Sequence, residues 1–232
     1  MRVSRAQAAK NRETVIDVAS RLFREYGFDG IGLKDLMEAA GLTQGAFYKQ
    51  FASKEDLAAQ ASLRALESAT RRWSAAATAN SQDPLGAALA FYLSKRHREE
   101  KAEGCPIVAL GSDAARQGAH VKASFEAGIK AHLELLGRLI SAANHTKRDS
   151  KAMTILSTMV GALTLARVVN DPGLARRFLA SAAEQVRAIA SSEKKPMSAS
   201  SRRTAADSRR TAISMNRRDR SIPRARPHRL RP

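Results

Sequence analysis

The chain of 232 residues carries 40 Lys and Arg against 22 Asp and Glu, a formal net charge of +18 at pH 7, with 44% hydrophobic residues and one cysteine. This length and apolar content suffice for a substantial hydrophobic core, and a single cysteine excludes an intrachain disulfide. The sequence has no apolar run near the roughly 18 residues that span a bilayer and no signal-peptide pattern in its polar N-terminus. We therefore predict a cytoplasmic protein with no membrane partner.

The positive charge is concentrated at the C-terminus. Residues 193–232 hold 13 Lys and Arg against 3 Asp and Glu, a net of +10, so only +8 of the +18 belongs to the first 192 residues. This segment is rich in Ser, Arg and Pro and has no hydrophobic period, which predicts a disordered basic tail. It is either a solvated appendage without a specific role or a nonspecific phosphate-binding arm whose contribution to DNA affinity depends on salt.

The N-terminal 52 residues are predicted to form three helices. An apolar stripe that begins near Ala8 indicates a first helix ending at Gly27. A second, short helix is predicted over residues 33–40, because its apolar residues recur at i, i+3, i+4 and i+7. Those residues are Leu33, Leu36, Met37 and Ala40.

A third helix is predicted over residues 44–50, directly after a tight turn. Gly41 can adopt the left-handed conformation that ends a helix, and Thr43 is expected to be the side-chain N-cap of the next one. Phe47 and Phe51 are expected to be buried, while the polar residues at the start of this helix stay outside. Two short helices joined in this way predict a helix-turn-helix, whose second helix enters the major groove of DNA.

Residues 15–57 resemble the N-terminal domain of TetR-type transcriptional regulators. The signatures in register are Ala19-x-x-Leu22-Phe23-x-x-x-Gly27-Phe28, Ala40-Gly41-Leu42, Phe47-Tyr48-x-x-Phe51 and Ser53-Lys54-Glu55-x-Leu57. This chain departs from the family at Ile31 and Gly32, where the family usually has Thr-Ser or Thr-Thr. Glycine is a tolerated N-cap, so we expect the fold to persist while a phosphate contact from that position is lost.

DNA contacts are assigned by chemistry and by this resemblance. Gln44 can pair with adenine, Lys49 can donate to guanine, and the small residues Gly45 and Ala46 let the backbone approach the bases. The resemblance implies four further contacts to bases or phosphates. These are expected from Lys34, Thr43, Tyr48 and Lys54.

Residues 53–192 are predicted to form a larger all-α domain. No stretch shows the period-two alternation of strands, and three helices are expected to begin with proline, at Pro84, Pro106 and Pro172. The predicted helices cover residues 54–77, 84–98, 106–116, 120–143, 151–169 and 172–190. The expected architecture is therefore a three-helix DNA-binding domain over residues 1–52, a helical effector-binding and dimerisation domain over residues 53–192, and the tail.

The last two helices are rich in small and apolar residues, so they need cover on more than one side. The resemblance implies that they form a four-helix bundle with a second copy of the chain, and packing within one chain is the alternative. The expected interface residues are Leu156, Gly161, Leu163, Val168, Phe178, Leu179 and Val186. A homodimer would present two reading heads to a palindromic operator.

An unknown small-molecule effector is expected to bind between the helices of the larger domain, as the resemblance implies. The candidate lining residues, each of which could equally be ordinary core, are Leu66, Phe91, Tyr92, Cys105, Ile107, Phe125 and Ile129. Cys105 precedes a helix whose N-terminus favours a thiolate, and the stretch GCPIVALGSDAARQ resembles a subgroup that includes proposed electrophile or oxidant sensors. Simple packing of a small residue is the alternative.

Two other classes of function compete with this interpretation. An enzyme has little support, because the sequence contains no nucleotide-binding fingerprint and no cluster of Cys or His; no metal and no cofactor are predicted. Its five histidines are scattered, and His97 and His132 are expected on solvated helix faces. An architectural DNA-binding protein driven by the tail would bind without site preference. We favour a nucleoid-associated regulator of transcription that is released from double-stranded DNA by an effector.

Overall fold

A computed structural model describes residues 4–192, which are all-α, as predicted. The predicted disordered tail over residues 193–232 lies outside the described residues. The described part forms one compact unit. Its elements are α1 (Arg5–Tyr26), α2 (Leu33–Ala39), a 3-10 helix (Gln44–Lys49), α3 (Lys54–Thr78), α4 (Pro84–Tyr92), α5 (Lys95–Glu99), α6 (Pro106–Arg116), α7 (Ala119–Leu139), α8 (His145–Val168) and α9 (Pro172–Ser191).

Side-chain caps and prolines determine where most of these helices begin. The Ser53 hydroxyl accepts from the Asp56 backbone N–H at 3.0 Å, and the Asp56 carboxylate accepts from the N–H of Ala52, just before the cap, at 3.1 Å, so a variant of the capping box begins α3. Pro84, Pro106 and Pro172 each occupy the first helical position, as predicted. Because these signals are local, the corresponding helix starts were predicted correctly.

The predicted helix over residues 84–98 is instead two helices, and this part of the prediction was wrong. The α4 helix ends at Tyr92, and the Ser94 hydroxyl then accepts from the His97 N–H at 3.0 Å to begin α5. Serine inside an apparent helical pattern can divert the backbone in this way. Asn144 similarly caps α8 and starts it six residues earlier than predicted, while α7 ends at Leu139.

Two hydrophobic clusters share the long helix α3. One cluster joins α1, α2, the 3-10 helix, the first half of α3 and the facing ends of α6 and α7. The other surrounds Trp73 near the end of α3 and draws on α4, α7, α8 and α9. The two clusters are therefore joined by one continuous helix, α3.

The helix α8 is the single helix among the described residues that is long and apolar enough to cross a membrane, with a mean hydropathy of 1.2 over its best window. No membrane-spanning segment was predicted from the sequence. In the structure α8 packs against α7 and α9, and Ile155, Met159 and Leu163 are fully buried. This packing accounts for the apolar residues on the buried side of α8.

Candidate DNA interface and the cavity behind it

The helix-turn-helix is held together by a buried aromatic and aliphatic core. Gly41 adopts the left-handed conformation at φ +72°, as predicted, and the N–H of Leu42 donates to the Met37 carbonyl at 2.9 Å. Met37 and Phe47 are no more than 1% exposed, and the Phe47 ring stacks on Phe51 with centroids 5.4 Å apart. The turn and its buried anchors together fix the orientation of the following segment.

That segment is a 3-10 helix of six residues, where an α-helix over residues 44–50 had been predicted. Thr43 precedes it with extended backbone but makes no side-chain capping bond, so its predicted capping role was wrong. Four residues of the predicted DNA-contacting set are exposed on this helix, while Ala46 is half-buried. The exposed residues are Gln44, Gly45, Tyr48 and Lys49.

Two lysines predicted to contact DNA have protein partners. Lys54 is half-buried, and its ammonium donates to the Ile31 carbonyl at 2.8 Å, which ties the start of α3 to the loop before α2. Lys34 Nζ lies 3.7 Å from Glu38 Oε1 in an exposed pair of little energetic weight. Gly32 is the N-cap residue of α2, as expected. At this position the TetR-type family usually has Ser or Thr.

The helices α1 and α3 are clamped together behind this surface. The Arg12 guanidinium lies 5.1 Å from the centroid of the Phe51 ring, a cation–π contact. Arg64 on α3 forms ion pairs with Glu13 and Asp17 on α1. The hydrogen bond to Glu13 raises the pKa of Arg64 above its ordinary value, which keeps this clamp charged.

A buried cavity of about 10 Å³ lies in the larger helical region. It brings together three of the predicted effector residues, Phe91, Tyr92 and Cys105. The other lining residues are Ala69, Arg72, Trp73, His97 and His132. Trp73, the one tryptophan of the chain, was missed by the sequence analysis, although its seven-residue spacing from Leu66 on α3 could have suggested it.

The other predicted effector residues are placed elsewhere. Leu66 and Phe125 are buried in the cluster that supports the helix-turn-helix, where α3 and α7 approach so closely that a Cβ on Gly128 would lie 2.6 Å from Leu66. Ile107 packs against both clusters and Ile129 against the cluster around Trp73. None of these four residues lines the cavity.

Two histidines predicted to be solvated are buried beside this cavity, so that prediction was wrong. His97 Nδ1 lies 2.6 Å from the Tyr92 carbonyl, and its Nε2 accepts from the Cys105 N–H at 2.9 Å. His132 Nδ1 lies 2.7 Å from the Gly128 carbonyl. Burial lowers the pKa of both imidazoles, so each is held neutral at pH 7.

The polar groups around the cavity are incompletely satisfied. Trp73 Nε1 and Arg72 Nε are buried without a hydrogen-bond partner among the described residues, and the buried Tyr92 hydroxyl has only the Cys105 thiol beside it. Burial raises the pKa of Tyr92 well above its ordinary value, and the adjacent Cys105 thiol adds to this rise. The thiol itself is 2% exposed, at the N-cap position of α6, and it makes no capping bond.

Residues 97–105, here called the hinge segment, connect this cavity to the DNA-binding helices. Arg24 at the end of α1 is only 5% exposed, and its guanidinium donates to the Gly104 carbonyl at 3.1 Å. The Glu103 carboxylate lies 2.9 Å from Arg21 and 3.8 Å from Arg24. Burial lowers the pKa of Arg24 to about 10 despite the opposing effect of Glu103, so Arg24 remains charged.

The same segment is bound from the opposite side by α3 and α8. Arg72 on α3 lies 3.6 Å from the Glu103 carboxylate. Arg167 on α8 donates to the carbonyls of Arg98 at 3.0 Å and His97 at 2.8 Å. The hinge segment therefore contacts the DNA-binding helices, the cavity and α8 at once.

A larger groove of about 620 Å³ lies at the surface between α4, α5 and α9. None of the predicted effector residues lines it. Most of its charged rim is paired, since Lys95 and Arg98 lie near Glu99, and Arg187 lies 3.7 Å from Asp83, while Arg176 has no ion-pair partner among the described residues. The unsatisfied polar groups therefore point to the smaller cavity as the site of specific chemistry.

The predicted interface residues on α8 and α9 divide into two sets. Leu163 and Val186 are fully buried and Leu156 and Leu179 are 7% exposed, so these four pack within one chain, and their assignment to an interface was wrong. Val168 is 74% exposed, while Gly161 and Phe178 are partly exposed. The neighbouring residues Met153 and Leu165 extend the exposed apolar face of α8.

Known proteins match this arrangement at the level of domain and fold. The profile of the family described as "Bacterial regulatory proteins, tetR family" matches residues 15–61. The HTH-type transcriptional regulator AcrR of Shigella flexneri is 39% identical over 56 residues, which are 24% of this chain and 26% of that protein. The curated relatives are thus matched over about a quarter of their length.

Solved structures resemble the chain over most of its length. The structure of a TetR transcriptional regulator from Chloroflexus aurantiacus superposes with a TM-score of 0.66 at 26% identity, over 78% of this chain and 96% of that one. The reduced form of E. coli NemR gives a TM-score of 0.65 at 19% identity, over 80% of this chain and all of that one. Residues 15–61 thus match the tetR family of bacterial regulatory proteins, and the described residues share the fold of solved TetR-family structures.

Proposed function

We propose that the protein is a sequence-specific DNA-binding regulator of transcription, a repressor that binds a palindromic operator as a homodimer and is released by a small-molecule effector. The observation that carries this proposal is the division of the 3-10 helix into two faces. Phe47 is buried on one face, while Gln44, Tyr48 and Lys49 are exposed on the other. Exposed polar groups on a rigid support are what base and phosphate recognition require.

The roles of these residues follow from their chemistry. Gln44 offers both a donor and an acceptor, which suits adenine, and Lys49 suits the O6 and N7 acceptors of guanine. Gly45 and Ala46 allow close approach to the bases. Thr43, Tyr48 and Lys34 supply hydroxyl and ammonium groups for phosphates, and Lys54 reaches a phosphate only by giving up its bond to the Ile31 carbonyl.

Dimerisation is supported by the unpaired apolar face of α8. Met153, Leu165 and Val168 are between 48% and 74% exposed, and the small residue Gly161 between them leaves open space for a partner helix. An exposed apolar face of this kind favours association. Two heads related by a twofold axis would double the footprint on DNA and require a palindrome.

Release by an effector is supported by the hinge segment. An effector in the cavity would act next to Tyr92, His97 and Cys105, and the hinge segment carries Glu103 and Gly104, which bind Arg24 of α1. The effector would lower DNA affinity only if it favoured a position of α1 that differs from the DNA-bound one.

Selection of bound sequences from a random duplex library tests the proposal. We expect the wild-type protein to enrich one palindromic sequence, and we expect Gln44→Ala and Lys49→Ala to relax preference at defined positions, at a cost of about 1–3 kcal/mol each. Lys122→Ala, at an exposed position of α7, is the control. Enrichment of no sequence, with binding that weakens steeply in salt, would favour an architectural protein instead.

A second candidate is a regulator that senses electrophiles through Cys105. It is supported by the position of the thiol, which lines the cavity and adjoins the hinge segment. Its sulfur would add to the β-carbon of an unsaturated carbonyl, forming a C–S bond while the C=C π bond breaks and the thiol proton moves to the α-carbon. Cys105→Ser should then abolish release by quinones; unchanged release would contradict this candidate.

A further inference from the structure

We propose that the cavity around Trp73 and Tyr92 is a binding site for a small planar aromatic carboxylate. The carboxylate would accept hydrogen bonds from Trp73 Nε1 and the Tyr92 hydroxyl, and the aromatic ring would replace Phe91 against His97. That this ligand is the effector rests on the function proposed above. The binding site itself does not depend on that function.

The unsatisfied donors define what the ligand must supply. Trp73 is 1% exposed and Tyr92 is 3% exposed; among the described residues Trp73 Nε1 has no hydrogen-bond partner, and the Tyr92 hydroxyl meets only the Cys105 thiol, a weak acceptor. An indole N–H can only donate, and a buried donor left unpaired is costly. The His97 imidazole offers no acceptor to these groups, because its two nitrogens already bond to the Tyr92 carbonyl and the Cys105 N–H. The matching ligand therefore carries acceptor oxygens.

The surrounding charges favour an anion. The guanidinium groups of Arg24, Arg72 and Arg167 lie around the hinge segment, against Glu103 and the exposed Glu100, which pairs with Arg96. The positive charge of Arg167 and Arg72 contributes, after burial, to lowering the pKa of His97. A further cation is thus disfavoured at this position and a carboxylate is favoured.

The shape of the site favours an aromatic ring. The cavity holds about 10 Å³, enough for one water molecule at most, so a ligand must displace a side chain. Phe91 is the lining side chain that can move outward, since it is 37% exposed. Its ring stacks on His97 at 5.9 Å with an interplanar angle of 17°, and a planar ligand ring could occupy the same position.

Binding can be measured without DNA, because Trp73 is the one tryptophan in the chain. Full-length protein would be titrated with benzoate, with the neutral benzamide and with the cationic benzylamine, while the emission of Trp73 is recorded. We expect a saturable change with benzoate, affinity at least tenfold lower for benzamide, and no saturation with benzylamine. Equal affinities for benzoate and benzamide would contradict the proposal.

A matched pair of variants separates a ligand-binding role from a structural one. Tyr92→Phe removes a hydroxyl whose one partner is the weakly accepting Cys105 thiol, so it should change the melting temperature little, and yet weaken benzoate binding about tenfold. Tyr26→Phe, at a residue that is 54% exposed on α1, should alter neither. Loss of stability in Tyr92→Phe, with benzoate binding intact, would show a structural hydroxyl that an ordered water satisfies.

A final experiment separates the proposal of a carboxylate-binding site from the proposed function as an effector-released regulator. Benzoate would be added to the complex of the protein with its selected operator. Loss of DNA binding supports both proposals together. Binding of benzoate with unchanged operator affinity keeps the carboxylate site and contradicts its role as the effector site.

Discussion

The DNA-binding head and the buried cavity are built in opposite ways. The head comes from 19 consecutive residues, 33–51, whose buried anchors Met37 and Phe47 leave the polar residues outside. The cavity is assembled from Trp73, Tyr92, Cys105 and His132, which lie on different elements and are held by long-range contacts. The head is locally specified, with one buried acceptor, Gln50 Oε1, left without a partner, whereas the cavity is nonlocal and leaves the buried donors Trp73 Nε1 and Arg72 Nε unpaired among the described residues. The head is therefore a surface fixed by local anchors, whereas the cavity is a site whose unpaired donors a bound group could satisfy.

The largest expected effect tests the rigidity of the head. Phe47→Ala removes a ring that is 1% exposed and should lower the free energy of unfolding by about 3–5 kcal/mol. Tyr48→Ala, at the neighbouring residue that is 69% exposed, should change stability by about 0.5 kcal/mol or less while weakening DNA binding. Urea unfolding and operator binding measure the two effects, and similar losses of stability would contradict the two-faced helix.

The next effect tests the link between the two regions. Arg24→Met leaves the Gly104 carbonyl and the Ser20 carbonyl without their donor and should cost about 1–3 kcal/mol of stability. Arg21→Met is the control, because Arg21 is 64% exposed and its pair with Glu103 should contribute less than about 1 kcal/mol. If the hinge segment transmits the effector signal, Arg24→Met should also reduce the effect of ligand on operator affinity. An unchanged effect would place the transmission elsewhere.

The comparison also shows what sequence alone could predict. The capping residue Ser53, the left-handed Gly41 and the buried Phe47 were predicted correctly, because each depends on neighbours within a few positions. The cavity was predicted only in part: Phe91, Tyr92 and Cys105 were recognised as candidates, while Trp73, His97 and His132 were not. Burial of a histidine depends on which helix covers it, and helical periodicity does not contain that information. Leu163 and Val186 were misassigned for the same reason, since an apolar face does not reveal which neighbour buries it.

A smaller effect concerns the pH dependence of the cavity. Because burial holds the pKa of His132 below its unfolded value of about 6.5, the unfolded chain binds a proton that the folded chain does not. Stability should therefore be constant above pH 7 and fall below pH 6.5, by up to about 1.4 kcal/mol per pH unit for this residue. His132→Asn should flatten part of that slope in urea titrations between pH 7 and 5. His120→Asn, at an exposed position, is the control and should leave the slope unchanged.

The smallest effect refines the account of the head. Gly32 is the N-cap of α2 with φ −76° and ψ 156°, a conformation that any residue adopts. Gly32→Ser should add a capping bond and stabilise the protein by a few tenths of a kcal/mol. It should also strengthen operator binding slightly, because it restores a hydroxyl at the position where the TetR-type family usually has Ser or Thr. Lower stability by thermal melting would indicate that the Asp35 carboxylate, 2.9 Å from a Cβ at this position, cannot move aside.

Footprinting of the protein on the DNA beside its own gene tests most directly whether it is a dimer that recognises its operator through the exposed face of the 3-10 helix. The account predicts two protected half-sites related by a dyad, about one helical turn or more apart, and loss of both in Lys49→Ala but not in Lys122→Ala. Protection of the whole fragment without a boundary, or an unchanged footprint in Lys49→Ala, would contradict a dimeric protein that recognises its operator through the exposed face of the 3-10 helix.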